Sequence, residues 1–173
     1  MAPLSSDSVS SQDYRRALAG LYGYYRPAEE WLFRQSPCLA QEIGIRRKYP
    51  ALIQDLSALG LAAEGLALCH DVPELVSPPA QLGMLYVLEG ATLGGQVIRK
   101  RLWRSFGEQT PEITHFHGFH GDGAGPWWRS FQQALSDRLD AEPSLTSEAV
   151  EAALVTFASL EAWLLRSAKV ILI

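Results

Sequence analysis

No stretch of this sequence stays apolar for the ~20 residues that a bilayer-spanning helix requires. The longest uncharged runs are broken by glycine, proline and polar residues, so no membrane partner is expected. Basic charge is scarce as well. Fifteen Lys and Arg stand against 19 Asp and Glu, a net charge of −4, and no long basic run exists. Nucleic acid, which is held chiefly by basic surfaces, is therefore not the expected partner. Cys38 and Cys69 are the only cysteines, too few for a disulfide framework and in keeping with a reducing, cytoplasmic setting. The opening residues, MAPLSSDSVSSQDYRR, lack the basic-then-apolar order of a secretory signal. Sustained alternation of apolar and polar residues is missing too, which argues against strands. There is no internal repeat and no low-complexity tract.

What is present suits one globular domain: 47% of the residues are hydrophobic and 20% charged. Helical periodicity predicts an all-α fold of about six helices packed ridges-into-grooves. Residues 1–9 read as a flexible arm and residues 10–173 as the domain. Ser10 is a good N-cap with Asp13 at the capping-box position. The helix that follows puts Tyr14, Leu18, Leu21, Tyr22 and Tyr25 on one face, and Pro27 should kink it near Gly23. The tyrosines Tyr22, Tyr24 and Tyr25 read as residues at the edge of the core. Ser36-Pro37 ends this helix. Residues 39–49 read as a polar connector carrying Arg46, Arg47 and Lys48. A helix then runs from Pro50 to the stop at Gly60, with a short helical turn over Leu61–Leu68. His70 sits in the next loop. Farther on, a helix from Pro126 to about Asp140 and a last helix from about Thr146 are expected. Val150, Ala153, Leu154, Phe157, Leu160 and Leu164 mark the amphipathic face of that last helix, and the closing VILI should dock on the core or on a partner.

The chain is organised around its middle. Ser77-Pro78-Pro79 opens a helix that runs to about Phe106, yet Gly83, Gly90, Gly94 and Gly95 lie inside it. Each interior glycine costs about 1 kcal/mol against alanine. Gly90 and Gly94 share a face, with Ala91 and Gly95 beside them, so part of this helix carries almost no side chains. Something approaches its backbone closely, either another helix or a flat ligand. The basic C-terminal end, Arg99, Lys100, Arg101 and Arg104, complements the helix dipole, or else some of these cations meet an acidic ligand. The loop over 107–125 holds His115, His117 and His120. A glycine-rich loop is a poor frame for metal ligands, so the expectation is that these histidines are partly exposed and pack on aromatic rings.

The segment YVLEGATLGGQVI, Tyr86 to Ile98, resembles the distal-helix motif of bacterial heme oxygenases, in particular those associated with bacteriophytochromes. The segments DYRRALAGLYGYYRPAEEWL and FHGFHGDGAGPWWRSF, and the stretch from Thr156 to Leu164, resemble neighbouring parts of that family, so the likeness covers nearly all residues from Ser10 onward. The resemblance implies a single-domain helical fold in which heme lies between a proximal helix and a glycine-kinked distal helix. It assigns Gly90 and Gly94 to catalysis, where backbone meets the heme face and leaves room for dioxygen. Tyr86, Gly90, Ala91, Gly94 and Gly95 would contact heme. The implied reaction opens heme to biliverdin, carbon monoxide and ferrous iron, using dioxygen and electrons from a ferredoxin or a reductase, and the bilin could supply a phytochrome. Three departures stand out. The family's proximal histidine lies upstream of the segment matching Ser10–Leu18, and none of the nine residues before Ser10 is histidine, so no metal ligand is assigned. Tyr22, Tyr24 and Tyr25 are then the substitutes to consider. Ala91 stands where many members have serine or aspartate, which order distal water, and Phe119 stands where tyrosine is common. The alternative expectation is a divergent, non-catalytic relative that binds heme weakly, a bilin or a protein partner.

Overall fold

A computed structural model describes residues 9–140 and 142–170, and among these every regular element is helical. Helix α1 spans Ser11–Gln35, α2 Pro37–Ile43, α3 Tyr49–Ala58, α4 Pro78–Phe106, α5 Ala124–Leu139 and α6 Pro143–Val170. The arm over residues 1–8 and the terminal residues 171–173 lie outside the described residues. Val9, expected in the arm, is buried instead, and its N–H donates to Ser105 Oγ at the far end of α4.

Several boundaries differ from the sequence reading, each for a local reason. The connector over 39–49 begins with helix α2. Pro37 starts it, and Gly44, at φ 72°, closes it in the left-handed conformation that only glycine adopts without strain. The segment 61–68 forms turns, not a helix. The loop after α4 contains two 3-10 segments, Gly107–Ile113 and Gly121–Gly123. Helix α5 starts two residues early, at Ala124. Pro143, read as a breaker, is the first residue of α6, a position where its missing N–H costs nothing.

The starts read for α1 and α4 are capped as expected. Ser10 caps α1 by accepting from Asp13 N at 3.0 Å, and Ser77 caps α4 by accepting from Ala80 N at 3.3 Å. Helix α1 passes through Pro27, which has no N–H for the Gly23 carbonyl. That carbonyl accepts from Cys69 N–H at 2.8 Å, so the loop after α3 repairs the gap. The tyrosines of α1 sit deeper than the core edge: Tyr14, Tyr22, Tyr24 and Tyr25 are all at most 1% exposed. Their hydroxyls reach across the core. Tyr14 donates to the Ile113 carbonyl, Tyr24 to Thr156 and Tyr25 to Leu88.

Helix α4 lies in the middle because two of its glycines admit backbone on either side. A Cβ at Gly83 would collide with the Ala149 carbonyl of α6, and one at Gly95 with the His117 carbonyl of the following loop. The close approach at Gly83 turns the small side of α6 inward, burying Ala149, Ala152 and Thr156. The large apolar residues of α6 consequently face out. Val150, Leu154 and Phe157, read from sequence as part of the amphipathic face, are 54%, 67% and 60% exposed.

His117 is buried with neither ring nitrogen hydrogen-bonded among the described residues. Burial, and secondarily the charge of Arg99, push its pKa down to about 4. The unfolded chain takes up this proton near 6.5 and the folded chain only near 4. Stability contributed by keeping the ring neutral is therefore lost as pH falls from 6.5 toward 4, by on the order of 3 kcal/mol. Glu29 runs the other way: burial lifts its pKa to about 7 against the amides of Tyr49 and Lys48, and stability falls as pH rises from 4.5 to 7. Comparing His117→Phe with the parent isolates the histidine. Urea unfolding across this range should show the variant gaining on the parent progressively below pH ~6.5. A difference independent of pH would mean that the ring is hydrogen-bonded. The glycines of α4 should also separate. Gly95→Ala should destabilise by about 1–3 kcal/mol through overpacking. Gly94→Ala, where a Cβ meets open space, should stabilise by up to ~1 kcal/mol in the same assay.

Candidate functional site

One stripe of α4 remains uncovered. Tyr86, Gly90, Leu93, Gly94 and Val97 recur at helical spacing, and Tyr86, Leu93 and Val97 are 45%, 41% and 56% exposed. Gly94 has nothing within 4 Å of where a Cβ would stand, and at Gly90 the nearest neighbour is the edge of Trp128. The Trp128 ring packs at 5.3 Å from Tyr86 and forms a wall beside the stripe. Beyond Tyr86 an apolar hollow of about 400 Å³ lies between α4, α5 and α6, bordered by Leu82, Tyr86, Leu139, Val150, Leu154 and Phe157. The stripe and the exposed side of α6 thus form a large apolar face around a section of bare helix backbone. Exposed apolar area of this kind marks a binding surface more often than a monomer's ordinary exterior.

The residues assigned from sequence divide here. Tyr86, Gly90 and Gly94 share the open stripe. Ala91 is half-buried and packs against the core. Gly95 faces the opposite way, and the His117 carbonyl accounts for its missing side chain. The three loop histidines do not converge. His115 Nδ1 bonds Asp55 at 2.8 Å, His117 lies between Tyr14 and Phe116, and His120 stacks on Trp127 at 4.8 Å. Packing on rings, as expected, describes His117 and His120. Among the described residues no cluster of His, Cys, Asp and Glu is arranged to hold a metal ion. His70 is exposed on its loop. The tyrosines offered as substitute ligands have other work. Burial holds the Tyr25 phenol well above its ordinary pKa and lifts that of Tyr24 to about 12, so neither supplies a tyrosinate near neutral pH.

Directly behind the open stripe lies a buried polar network that the sequence reading missed. Glu89, next to Gly90, pairs with Lys48, and both are 1% exposed. The same carboxylate accepts from Trp127 Nε1 at 3.2 Å and lies 3.4 Å from His120 Nε2. Burial raises its pKa, but His120, Lys48 and Trp127 outweigh burial and hold it below the usual value. Lys48 is itself positioned by Glu29 of α1, which accepts the backbone N–H groups of Lys48 and Tyr49. Gln96, two residues past Gly94, donates through Nε2 to the Gly121 carbonyl. The glycine section of α4 is therefore tied from behind to α1, α3, the histidine loop and α5. One sequence signal was available: Glu89 is the only charge between Gln81 and Ile98, and a lone acid in an apolar helix requires a partner. Lys48→Met should strand this carboxylate and cost about 3–5 kcal/mol in chemical denaturation. A cost below ~1 kcal/mol would mean that the pair is dispensable.

Comparison with known proteins bears on the same residues. The family model described as heme oxygenase matches residues 1–166. A protein described as heme oxygenase from Xanthomonas campestris pv. campestris (strain 8004) is 31% identical over 162 residues, covering 91% of this chain and 92% of that protein. No solved structure gives a significant match. Among the described residues no helix is long and apolar enough to cross a membrane. On a match that spans almost the whole sequence and includes the bare-backbone helix, the chain belongs to the heme oxygenase family.

Proposed function

We propose that this protein binds heme on the open face of α4 and opens it oxidatively to biliverdin, carbon monoxide and ferrous iron. The carrying observation is the bare backbone at Gly90 and Gly94, set in an apolar face made by Tyr86, Leu93 and Val97 with Leu154 and Phe157 of α6. That face fits a flat, largely apolar ring. Bound heme supplies the oxygen chemistry, with dioxygen as oxidant and electrons from a ferredoxin or a reductase. The chain's own contribution is shape and stiffness. Gly90 and Gly94 keep side chains out of the space above the ring. Tyr86 and Trp128 bound the ring's position at one end. The network of Lys48, Glu89, His120 and Trp127 fixes the rotation of α4, so the bare section stays presented. Ala91 brings no hydroxyl or carboxylate to order water on this face. The product bilin suits a phytochrome chromophore. Free Cys38 and Cys69 agree with a reducing, cytoplasmic site of action.

A second reading has its own support. The histidines described lie behind α4 or, for His70, exposed on the loop after α3; the Tyr24 and Tyr25 hydroxyls donate to backbone carbonyls, and that of Tyr22 accepts from Arg26. None of these is placed on the open stripe as an axial ligand, which favours a weak heme or bilin binder without turnover.

Hemin titration followed by reductant and oxygen decides between the two. A sharp Soret band saturating at one equivalent, then the absorption of biliverdin, is expected of the enzyme. A broad, non-saturating band with no verdin product would overturn the catalytic reading. Gly94→Leu should keep the helical circular dichroism and lose hemin binding. Unchanged binding would place the ring elsewhere.

A further inference from the structure

Two arginines and a histidine noted separately in the sequence meet on the other side of the molecule. Arg47 comes from the segment before α3, Arg99 from the basic end of α4 and His115 from the histidine loop. All three line one cleft of about 400 Å³, together with Gln54 and Thr114. Gly95 and Arg99 face this loop, whereas Gly90 and Gly94 face the open stripe, so the cleft is separate from the face assigned to heme.

The arginines are held, but their charge is not answered. Arg99 Nε donates to Thr114 Oγ1 at 3.3 Å, which orients the guanidinium. Its Cζ would lie 3.2 Å from a Cβ at Gly118, so the loop keeps a glycine where the guanidinium lies flat against it. The Arg47 guanidinium sits over the Phe33 ring at 4.8 Å. Neither arginine has a carboxylate partner among the described residues, and none of the described lining residues is acidic. Asp55 is buried behind His115. It is already committed to the amides of His115 and Phe116, at 2.6 and 2.9 Å, and to His115 Nδ1. Among the described residues His115 Nε2 has no partner. It donates to a phosphoryl oxygen when both ring nitrogens carry a proton; when Nε2 does not, it accepts from the P–OH of hydrogen phosphate, a group that a monoester dianion lacks. A cleft walled by one sign of charge concentrates counter-ions, and two arginine forks with a third polar group match a doubly charged, multi-oxygen anion.

We propose that this cleft binds a phosphoryl dianion, either free phosphate or the phosphate of a small monoester, gripped by Arg47 and Arg99 with His115 as the third contact. Its test is calorimetric titration of the full chain with sodium phosphate, phenyl phosphate and malonate, with ionic strength held constant by sodium chloride. Saturable one-to-one binding of both phosphates is expected, weakened about tenfold or more by Arg47→Gln and by Arg99→Gln. Arg104→Gln, on an exposed residue of α4 outside the cleft, should leave it unchanged. Tighter binding of phenyl phosphate than of phosphate would identify a monoester as the source, and equal binding free phosphate. Arg99→Gln removes a bond that orients the loop, so Arg47→Gln, on an exposed side chain, decides by itself. Phosphate should raise the melting temperature of the parent and not of Arg47→Gln. Heat that follows ionic strength without saturating, binding that survives Arg47→Gln, or malonate binding as tightly as phosphate would overturn the assignment.

Discussion

A carboxylate and an ammonium group, both sealed from water, fix how this molecule is put together. Glu89 and Lys48 are each 1% exposed, and neither charge could remain there without the other. Lys48 belongs to the segment leading into α3 and Glu89 to the centre of α4, so their pairing sets the distance and rotation between those helices. Glu29 of α1 then caps the start of α3 through the amides of Lys48 and Tyr49. His120 and Trp127 bring the histidine loop and α5 to the same carboxylate. Hydrophobic burial supplies most of the stability of such a domain, but it is indifferent to which face of a helix points where. The buried pair is directional. It fixes Glu89 inward, and with the rotation of α4 set in this way the neighbouring stripe of Tyr86, Gly90, Leu93 and Gly94 is left uncovered.

The glycines of α4 then have different physical causes despite their proximity. Gly83 and Gly95 are glycines because protein backbone occupies the place of a Cβ. Gly94 has nothing in that place, and Gly90 only the rim of Trp128. Internal packing explains the first two completely and the last two not at all. An exposed mid-helix glycine with no neighbour is a standing cost in stability, which makes a ligand the economical explanation. The same distinction applies to α6. Its small residues face α4 because Gly83 lets the two backbones close up, and its large apolar residues are left beside the open stripe. Close packing on one side of α4 thus generates the apolar face on the other.

Much of this was legible in the sequence. The caps at Ser10 and Ser77, the extents of α1 and α4, and the helical class follow from local rules that tertiary contacts did not override. The glycine pattern flagged a close approach at α4, and protein backbone makes it at Gly83 and Gly95, whereas no backbone approaches Gly90 or Gly94. What sequence could not show is direction. Periodicity marks the apolar face of α6 without saying that its alanines would be chosen for the interior. Adjacent glycines at 94 and 95 read alike, although they lie about 100° apart around the helix and face different surroundings. Lys48 read as part of a solvated basic connector, because nothing local distinguishes it from Arg46 and Arg47. Only the distant Glu89 does.

The same directional argument constrains what can act on the open face. Three polar side chains that α4 carries near Gly90 and Gly94 are engaged elsewhere: Glu89 in the buried pair, Gln96 with the Gly121 carbonyl and Arg99 with Thr114. The loop histidines are engaged by Asp55 and by aromatic rings, and the Tyr14, Tyr24 and Tyr25 hydroxyls donate to carbonyls. At Gly90 and Gly94 the helix therefore offers a ligand backbone and apolar surface, with the Tyr86 phenol one turn away. Were heme to lie on this face, Gly90 and Gly94 would leave space there in which a small diatomic could reach the iron. The apolar character of the open stripe and of the exposed side of α6 suits a flat, largely apolar ring.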